Sequence, residues 1–556
     1  MKMFSFIKPY RFIFLFVFLM GLVSTFITSI QPMIGKFFID EVLIAKRYSF
    51  SLTLTLAVVV AAIGYGIALL TRFLYFRMSL QITVDMRTIF YHHLLHLPFD
   101  FFSKNRTGDI LSRMNEDLTE IQRLYTENML QLFTISLTFV FNVALLLFLD
   151  WRLTLLSFLF MPLLVIGVQK FRRLIFINQM EFRKLSAKNQ SFLYETFSSM
   201  NFIRTAHIEK QLKQQFREEL EDINKQNMKV MFTNAWAQGI PQFVLMGSAV
   251  FMLAFLGQQV IGGQMTLGAL LAFMAYQASL FATVQGMAQL YMKFQKGRAS
   301  IQRVNEFFQI LPIQMEGKVV PKTFHTIRLE HVSFFHQPQQ PILTEFSLDI
   351  RSGEKVGLIG ENGKGKSTIA QLLAQIYEPI NGAIYLDDEN IHNFSKASWY
   401  NKVCIVTHDH PVWCMTIEDF LRLGKKQATA AELEQVIEWM GLTSWIQALP
   451  ERMNTQLGER GLTISAGQRQ RLLLARALLQ EADIYILDEA TCHLDIESER
   501  QLFQQLNEYF HDKTVIVITH RHNHLAWLDR VVDLSKKEWK PIRGELASEH
   551  VSTLHG

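Results

Sequence analysis

Six nearly uncharged apolar segments fill much of the first three hundred residues, and they limit what this chain can fold into more than any other feature. They run approximately from Phe12 to Met33, Leu52 to Leu74, Leu130 to Leu149, Leu153 to Val168, Ile240 to Leu256 and Leu267 to Leu290. Each holds about 16–24 residues, close to the length that a hydrocarbon layer about 30 Å thick demands of an α-helix. A hydrophobic content of 49%, with 46 Phe and a mean hydropathy of +0.14, is high for a soluble protein. Membrane spans explain it better than one oversized core. The run after Lys2, Lys8 and Arg11 is too long for the apolar part of a signal peptide and lacks a small-x-small cleavage site, so it reads as a first span.

The spacing of the segments is informative. Asp150-Trp151-Arg152 joins the third to the fourth, and the uncharged stretch from Gly257 to Gln264 joins the fifth to the sixth. About 55 residues separate segments two and three, and about 70 separate four and five. Both long connections are helix-compatible. A helix running unbroken from the second span to about Leu97 reaches roughly 70 Å, so it projects well into water. The long connections carry Arg77, Arg87, Lys104, Arg106, Arg113, Lys170, Arg172, Arg173 and Lys184, and Lys293, Lys296 and Arg298 follow the last span. The positive-inside rule therefore places the N-terminus, the long connections and the second half in the cytoplasm of a multi-pass plasma or inner-membrane protein. The net charge of +5 fits this, and no basic stripe with interleaved aromatics suggests a nucleic-acid partner.

The second half reads as a soluble α/β domain. Short strand-like runs at Ile327–Leu329 and Val332–Phe335 follow a junction containing Pro312, Gly317 and Pro321. Val403–Val406, Ile484–Leu487 and Val515–Ile518 suit buried parallel strands alternating with helices. The expected division is a membrane domain over 1–310, a linker over 311–325, a nucleotide-binding domain over 326–546 and a tail over 547–556. Cys404, Cys414 and Cys492 have neither disulfide nor zinc spacing, which fits a reducing compartment.

Gly360-Glu361-Asn362-Gly363-Lys364-Gly365-Lys366-Ser367-Thr368 is a complete phosphate-binding loop, set between the strand-like Val356–Ile359 and a helical run. Its glycines let backbone N–H groups face phosphates, and the helix adds its positive end. A nucleoside triphosphate is the implied ligand. Ile484–Leu487 is capped by Asp488 and Glu489. A buried strand thus delivers one carboxylate that can hold Mg²⁺ and a second that can polarise the attacking water, the two services phosphoryl transfer needs.

Ile464-Ser465-Ala466-Gly467-Gln468-Arg469-Gln470-Arg471, just ahead of that strand, resembles the Leu-Ser-Gly-Gly-Gln signature of ATP-binding cassette (ABC) transporters. The resemblance extends over essentially the full length. Leu97-Pro98 through Arg113 is similar to the first cytoplasmic loop of type IV exporters, Glu195–Phe197 with Ile203–Ala206 to the second, and Met265–Leu270 to the start of their sixth span. It implies a half-transporter with six spans and long cytoplasmic helix extensions fused to a P-loop ATPase cassette. Such a chain works as a homodimer or heterodimer with a second half-transporter and exports a hydrophobic or amphipathic cargo (drug, lipid or peptide) from among membrane lipids. With no peptidase domain ahead of the first span, leader-peptide cleavage is not expected. The alternative is a membrane-anchored ATPase with a sensory or regulatory role.

The resemblance also implies roles. Lys366 neutralises the β- and γ-phosphates and assists catalysis, Ser367 and Asp488 hold Mg²⁺, Glu489 is the catalytic base and His520 touches the γ-phosphate. Gly360, Gly363, Lys364, Gly365 and Thr368 complete the loop around ATP. Ser465, Gly467 and Gln468 close over the nucleotide of the opposite subunit, which Asp495 contacts. Phe335 or His336 stacks on adenine. His408 stands where the family has a glutamine that approaches the nucleotide and its metal. It is one of four departures, with Ala466 for a signature glycine, Cys492-His493 for Ser-Ala and Lys364 at a small-residue position. A degraded signature beside an intact carboxylate fits one chain of an asymmetric heterodimer, and neutral drift in a homodimer fits equally. In the sixth span Gln277, Phe281, Gln285 and Gln289 recur at i+4 and suggest a polar stripe, facing either a cavity or neighbouring helices.

Overall fold

The computed structural model describes residues 8–105, 107–313, 315–335, 340–458, 464–519, 527–534 and 538–541. It separates into two compact units, Met1–Leu94 with Gly108–Ile310, and Leu95–Thr107 with Leu311–Gly556.

The first unit is entirely helical. Its helices are α1 (Arg11–Ile44) and α2 (Phe50–Leu95); α3 (Phe99–Lys104) follows but belongs to the second unit; then come α4 (Thr107–Leu149), α5 (Trp151–Phe158), α6 (Met161–Ser198), α7 (Met200–Ala206), α8 (Glu209–Ile261) and α9 (Leu267–Phe308). Five of these, α1, α2, α4, α8 and α9, are long and apolar enough to cross a membrane. The expected fourth span, Leu153–Val168, is helical but broken at Leu159-Phe160. Pro162 explains the break, because it can enter the first turn of α6 but cannot continue a helix from α5. At 1.5 Å per residue α2 spans roughly 70 Å, as its uninterrupted pattern predicts.

Leu146, Leu153, Met252, Leu256, Phe273 and Leu280 form a buried cluster where α4, α5, α8 and α9 meet near their outer ends. Two polar groups inside the spans bridge helices. Asn142 Nδ2 donates to Ser279 Oγ at 2.8 Å, and the Tyr276 hydroxyl donates to the Ser29 carbonyl at 2.8 Å. At the outer end Asp40 ties α1 to α9, accepting from the Thr266 hydroxyl at 2.6 Å and the Gly268 N–H at 2.9 Å. Gly268 is required there, since a Cβ would lie 2.6 Å from the Asp40 carboxylate and 2.7 Å from the Lys36 carbonyl.

Toward the cytoplasm α4 contains two wide π-type turns, Arg113–Asp117 and Leu124–Asn128. Each adds a residue to the turn and so re-aims the side chains that follow. They bring buried Asp117 against α9, where it accepts from Ser300 Oγ at 2.8 Å and Arg303 Nε at 2.9 Å. The Arg113 guanidinium lies 3.9 Å from the centre of the Phe307 ring. Burial raises the proton affinity of Asp117, but the Arg303 and Ser300 bonds outweigh it and hold the carboxyl below its ordinary range. A depressed folded pKa stabilises the fold above the unfolded value of about 3.9, and the gain vanishes as pH falls through the folded value. Asp117→Asn is therefore expected to cost about 1–2 kcal/mol at pH 7. The gap in thermal midpoint between wild type and variant in detergent should shrink below about pH 4; a gap independent of pH would refute this account.

The second unit carries two sheets. β1 (Thr326–Phe334), β2 (Leu343–Arg351), β4 (Asn381–Leu386) and β5 (Glu389–Asn390) make an antiparallel sheet in the order β2-β1-β4-β5. The two short runs expected before Phe335 are one strand, bulged where His331 takes φ +48° and the register shifts between Leu329 and Val332. The other sheet holds β3 (Lys355–Ile359), β6 (Val403–Thr407), β7 (Ile484–Asp488), β8 (Thr514–Ile518), β9 (Arg530–Asp533) and β10 (Glu538–Pro541) in the order β10-β9-β3-β8-β7-β6, parallel except for β10. β7 and β8 are buried throughout, which is why they read as continuous apolar runs. Helices α10 (Lys366–Leu373), α11 (Lys396–Lys402), α12 (Ile417–Arg422), α13 (Ala430–Trp439), α14 (Thr443–Ala448), α15 (Ala466–Leu479) and α16 (Ile496–Tyr509) complete it. α3 packs within this unit, its Phe99 ring edge-on to Tyr377 at 5.6 Å.

Candidate nucleotide site

The parallel register builds the site. Leu358 pairs with Ile518, Ile518 with Asp488 and Asp488 with Thr407. The segments leaving these strands, the phosphate loop, Thr519, Glu489 and His408, therefore emerge along one carboxyl edge, where open α/β sheets bind ligands.

The loop from Gly360 to Gly365 leads into α10, with Gly365 at its N-cap. Gly363 and Gly365 take φ of +82° and +90°, which side chains on L-residues resist. A Cβ on Gly365 would also come within 2.7 Å of Leu343. Lys366 is buried and its Nζ donates to the carbonyls of Gly360 (2.8 Å) and Glu361 (2.9 Å). Burial lowers its pKa, while Glu489 and Asp488 pull the other way and favour the ammonium. Ser367 is exposed in the first turn, whereas the Thr368 side chain is buried, so only its backbone can reach a ligand. Lys364 is exposed and 3.8 Å from Glu361, a pairing of little energetic weight.

Asp488 is buried at the end of β7 and accepts from the Ser367 hydroxyl. Burial raises its pKa, with Glu489 and Asp409 adding to the rise and Ser367 and His408 opposing it. A hydroxyl facing a carboxylate is the hard-oxygen pair that suits Mg²⁺, which fills its octahedron with water and phosphate oxygens. Among the described residues no cluster of three or more His, Cys, Asp or Glu could hold a metal without such help. Glu489 has φ +50° and its N–H donates to the Ile518 carbonyl at 3.0 Å. This strained backbone turns its side chain off the strand direction, a feature no sequence signal announces. Asp409 is held below the usual carboxylate range chiefly by the Thr407 hydroxyl, and the His408 carbonyl accepts from Arg469 at 3.4 Å.

The signature segment opens α15. Ser465 Oγ accepts from the Gln468 N–H at 3.1 Å, and Gln468 Oε1 accepts from the Ser465 N–H at 3.0 Å, a reciprocal capping box. The Gln468 side chain is thus engaged in folding the helix start. Gln470, which sequence reasoning passed over, accepts from the His493 N–H at 3.0 Å and lies 3.1 Å from Cys492 Sγ. It fastens the unusual Cys492-His493 pair to the signature helix. Gly467 faces Leu494, and exposed Asp495 caps α16 by accepting from the Ser498 N–H at 2.9 Å. Phe335 is half-buried at the end of β1. His336 and His520 lie outside the described residues.

In the sixth-span stripe, Gln277 and Phe281 are buried in the protein, Gln285 is half-buried and Gln289 is exposed. Gln277 Nε2 is buried without a hydrogen-bond partner.

Residues 14–284 match the family described as ABC transporter transmembrane region, and residues 343–492 match the family described as ABC transporter. A putative multidrug export ATP-binding/permease protein, YgaD of Bacillus subtilis, is 27% identical over 95% of this chain and 93% of its own. An ATP-dependent lipid A-core flippase of Desulfotalea psychrophila is 29% identical over 95% and 93%. A toxin RTX-III translocation ATP-binding protein of Actinobacillus pleuropneumoniae is 28% identical over 95% and 74%. Among solved structures, a bacterial Atm1-family ABC exporter superposes with a TM-score of 0.79 at 20% identity, covering 95% of this chain and 93% of that one.

Proposed function

We infer the function of this chain from its membership of the ABC transporter family, to which it belongs by a transmembrane region and an ATPase cassette fused in one polypeptide. It is an ATP-hydrolysing, multi-pass protein of the inner membrane, with its cassette in the cytoplasm, and it drives export of hydrophobic or amphipathic molecules. The observation that carries this reading is the meeting of Lys366, Asp488 and Glu489 at one sheet edge, in a chain whose other half is lipid-facing helix.

In our assignment Lys366 leaves the Gly360 and Glu361 carbonyls to neutralise the β- and γ-phosphates, while the loop N–H groups and the start of α10 cradle them. Ser367 and Asp488 would hold Mg²⁺, which would offset phosphate charge, with His408 at the same sheet edge. Glu489 orients and deprotonates the attacking water. Ser465 and Gly467 face the nucleotide of a second half-transporter across the dimer, with Asp495 beside them. Closure of the two cassettes is relayed through α3, whose Phe99 already rests on Tyr377, and through α7, whose Phe202 is exposed. Binding energy thereby moves a two-state membrane domain.

Reconstitution tests the reading. The protein purified alone is expected to run as a dimer and to accumulate an amphipathic fluorophore in vesicles whose cassettes face outward, with ATP. A monomer without ATPase, rescued by co-expression of a similar chain, would indicate a heterodimer. Robust ATPase with no movement of any drug, lipid or peptide would favour a regulatory ATPase instead.

A further inference from the structure

The segment that follows Glu489 carries a second reactive cluster, built from a nucleophile, a base and an oriented amide: Cys492, His493 and Gln470. Cys492 Sγ lies 3.2 Å from His493 Nδ1 and 3.1 Å from Gln470 Nε2. Gln470 is buried on α15, and a hydrogen bond fixes which end of its amide faces the sulfur. Its Oε1 accepts from the His493 N–H at 3.0 Å, which leaves the N–H side aimed at Cys492. Cys492 is half-buried and His493 exposed, so a small solute can reach the sulfur and water can reach the imidazole.

Both neighbours suit an anionic sulfur. The imidazole accepts the thiol proton, and the imidazolium and the Gln470 N–H then stabilise the thiolate, which is the form that reacts. The other two cysteines supply the contrast. Cys404 is buried in β6, and burial pushes its thiol up to about 11. Cys414 is exposed but makes no hydrogen bond among the described residues. The cluster is also joined to the strand that ends at Asp488. The Cys492 N–H donates to the Glu489 carbonyl at 3.2 Å, closing one turn directly after β7. Gln470 ties the far side of that turn to the signature helix, so a change at the sulfur is felt at Glu489.

We propose that Cys492 is a peroxide-reactive thiol and that its oxidation slows ATP hydrolysis. His493 takes the thiol proton, and the thiolate attacks one oxygen of hydrogen peroxide. An S–O bond forms and the O–O bond breaks. The departing hydroxide takes the proton from His493 and leaves as water. Sulfur loses two electrons, peroxide gains them, and Cys492 becomes a sulfenic acid. The added oxygen takes the space where Gln470 Nε2 meets the sulfur, so the bridge to α15 opens and the turn bearing Glu489 shifts. Low-molecular-weight thiols reverse the change: one forms a mixed disulfide with loss of water, and a second releases Cys492 as the thiol. The inference goes beyond export, and its effect on turnover rests on the assignment of Glu489.

The test treats the full-length protein in proteoliposomes with hydrogen peroxide. One sample receives dimedone, which labels sulfenic acids, and peptide mass spectrometry follows each cysteine; a parallel sample without dimedone is assayed for ATPase. Cys492 is expected to be labelled about tenfold faster than Cys414, and His493→Ala should lower the Cys492 rate to that of Cys414. Over the same interval ATPase should fall about tenfold and return with dithiothreitol, whereas Cys492→Ser should stay within about twofold of its own untreated rate. Labelling of Cys492 no faster than Cys414, or a rate unmoved by His493→Ala, overturns the thiol assignment. Labelling without loss of ATPase, or a loss that persists in Cys492→Ser, overturns the control of hydrolysis. If the untreated protein hydrolyses no ATP, the export reading falls, and the labelling rates alone decide the thiol.

Discussion

Glu489→Gln is expected to slow ATP turnover by about 10²–10⁴-fold while leaving ATP binding intact. The amide keeps the shape of the side chain and can still hold a water, but it cannot accept a proton. The backbone makes the assignment specific to this position. Glu489 is held at φ +50° by its N–H bond to Ile518, immediately after the buried strand that ends at Asp488. A left-handed residue costs roughly 1–2 kcal/mol, and it persists only where the surroundings fix it. Asp488 directly before it is already committed, buried and bonded to Ser367, so the two carboxylates are not interchangeable. The measurement is steady-state phosphate release beside equilibrium binding of a fluorescent ATP analogue, with Glu489→Asp as the companion variant. Turnover within about threefold of wild type in Glu489→Gln would show that another group serves as base, and the assignment would have to be withdrawn.

What could be read from the chain and what could not divide along the range of the interactions. Gly363, Gly365 and Lys366 were legible because the phosphate loop is a local solution, in which neighbouring residues determine the backbone path. β7 and β8 were legible because a strand buried on both faces must be apolar throughout. The spans were legible because lipid imposes length and composition on each helix separately. The break at Leu159-Phe160 could have been anticipated from Pro162. The antiparallel sheet was not, because alternation within β1 and β2 does not name their partners. The signature resemblance implies that Gln468 closes over the opposite subunit's nucleotide. The spacing Ser465-x-x-Gln468 is equally a capping box, and the structure has it formed.

The second large effect concerns Gly365, and its comparison with Gly363 isolates the cause. Both glycines sit at positive φ, so alanine at either pays the left-handed penalty, about 1–2 kcal/mol, or roughly a tenfold loss in ATP affinity. At Gly363 nothing lies within 4 Å of the added Cβ, and the penalty ends there. At Gly365 the Cβ would stand 2.7 Å from Leu343 and 3.0 Å from Ile342. Leu343 cannot yield easily, since it is buried and paired with Phe334 in the antiparallel sheet. The loop must move instead, and its N–H groups lose their aim at the phosphates together. Gly365→Ala is therefore expected to weaken ATP binding by at least about 100-fold, against about tenfold for Gly363→Ala, with the helical content of both unchanged. Leu343→Ala in the Gly365→Ala background supplies the decisive comparison. If the clash is the cause, trimming the neighbour restores most of the difference between the two glycine variants. If affinity stays low, the positive φ at the start of α10 is the whole constraint, and close approach to the sheet contributes nothing.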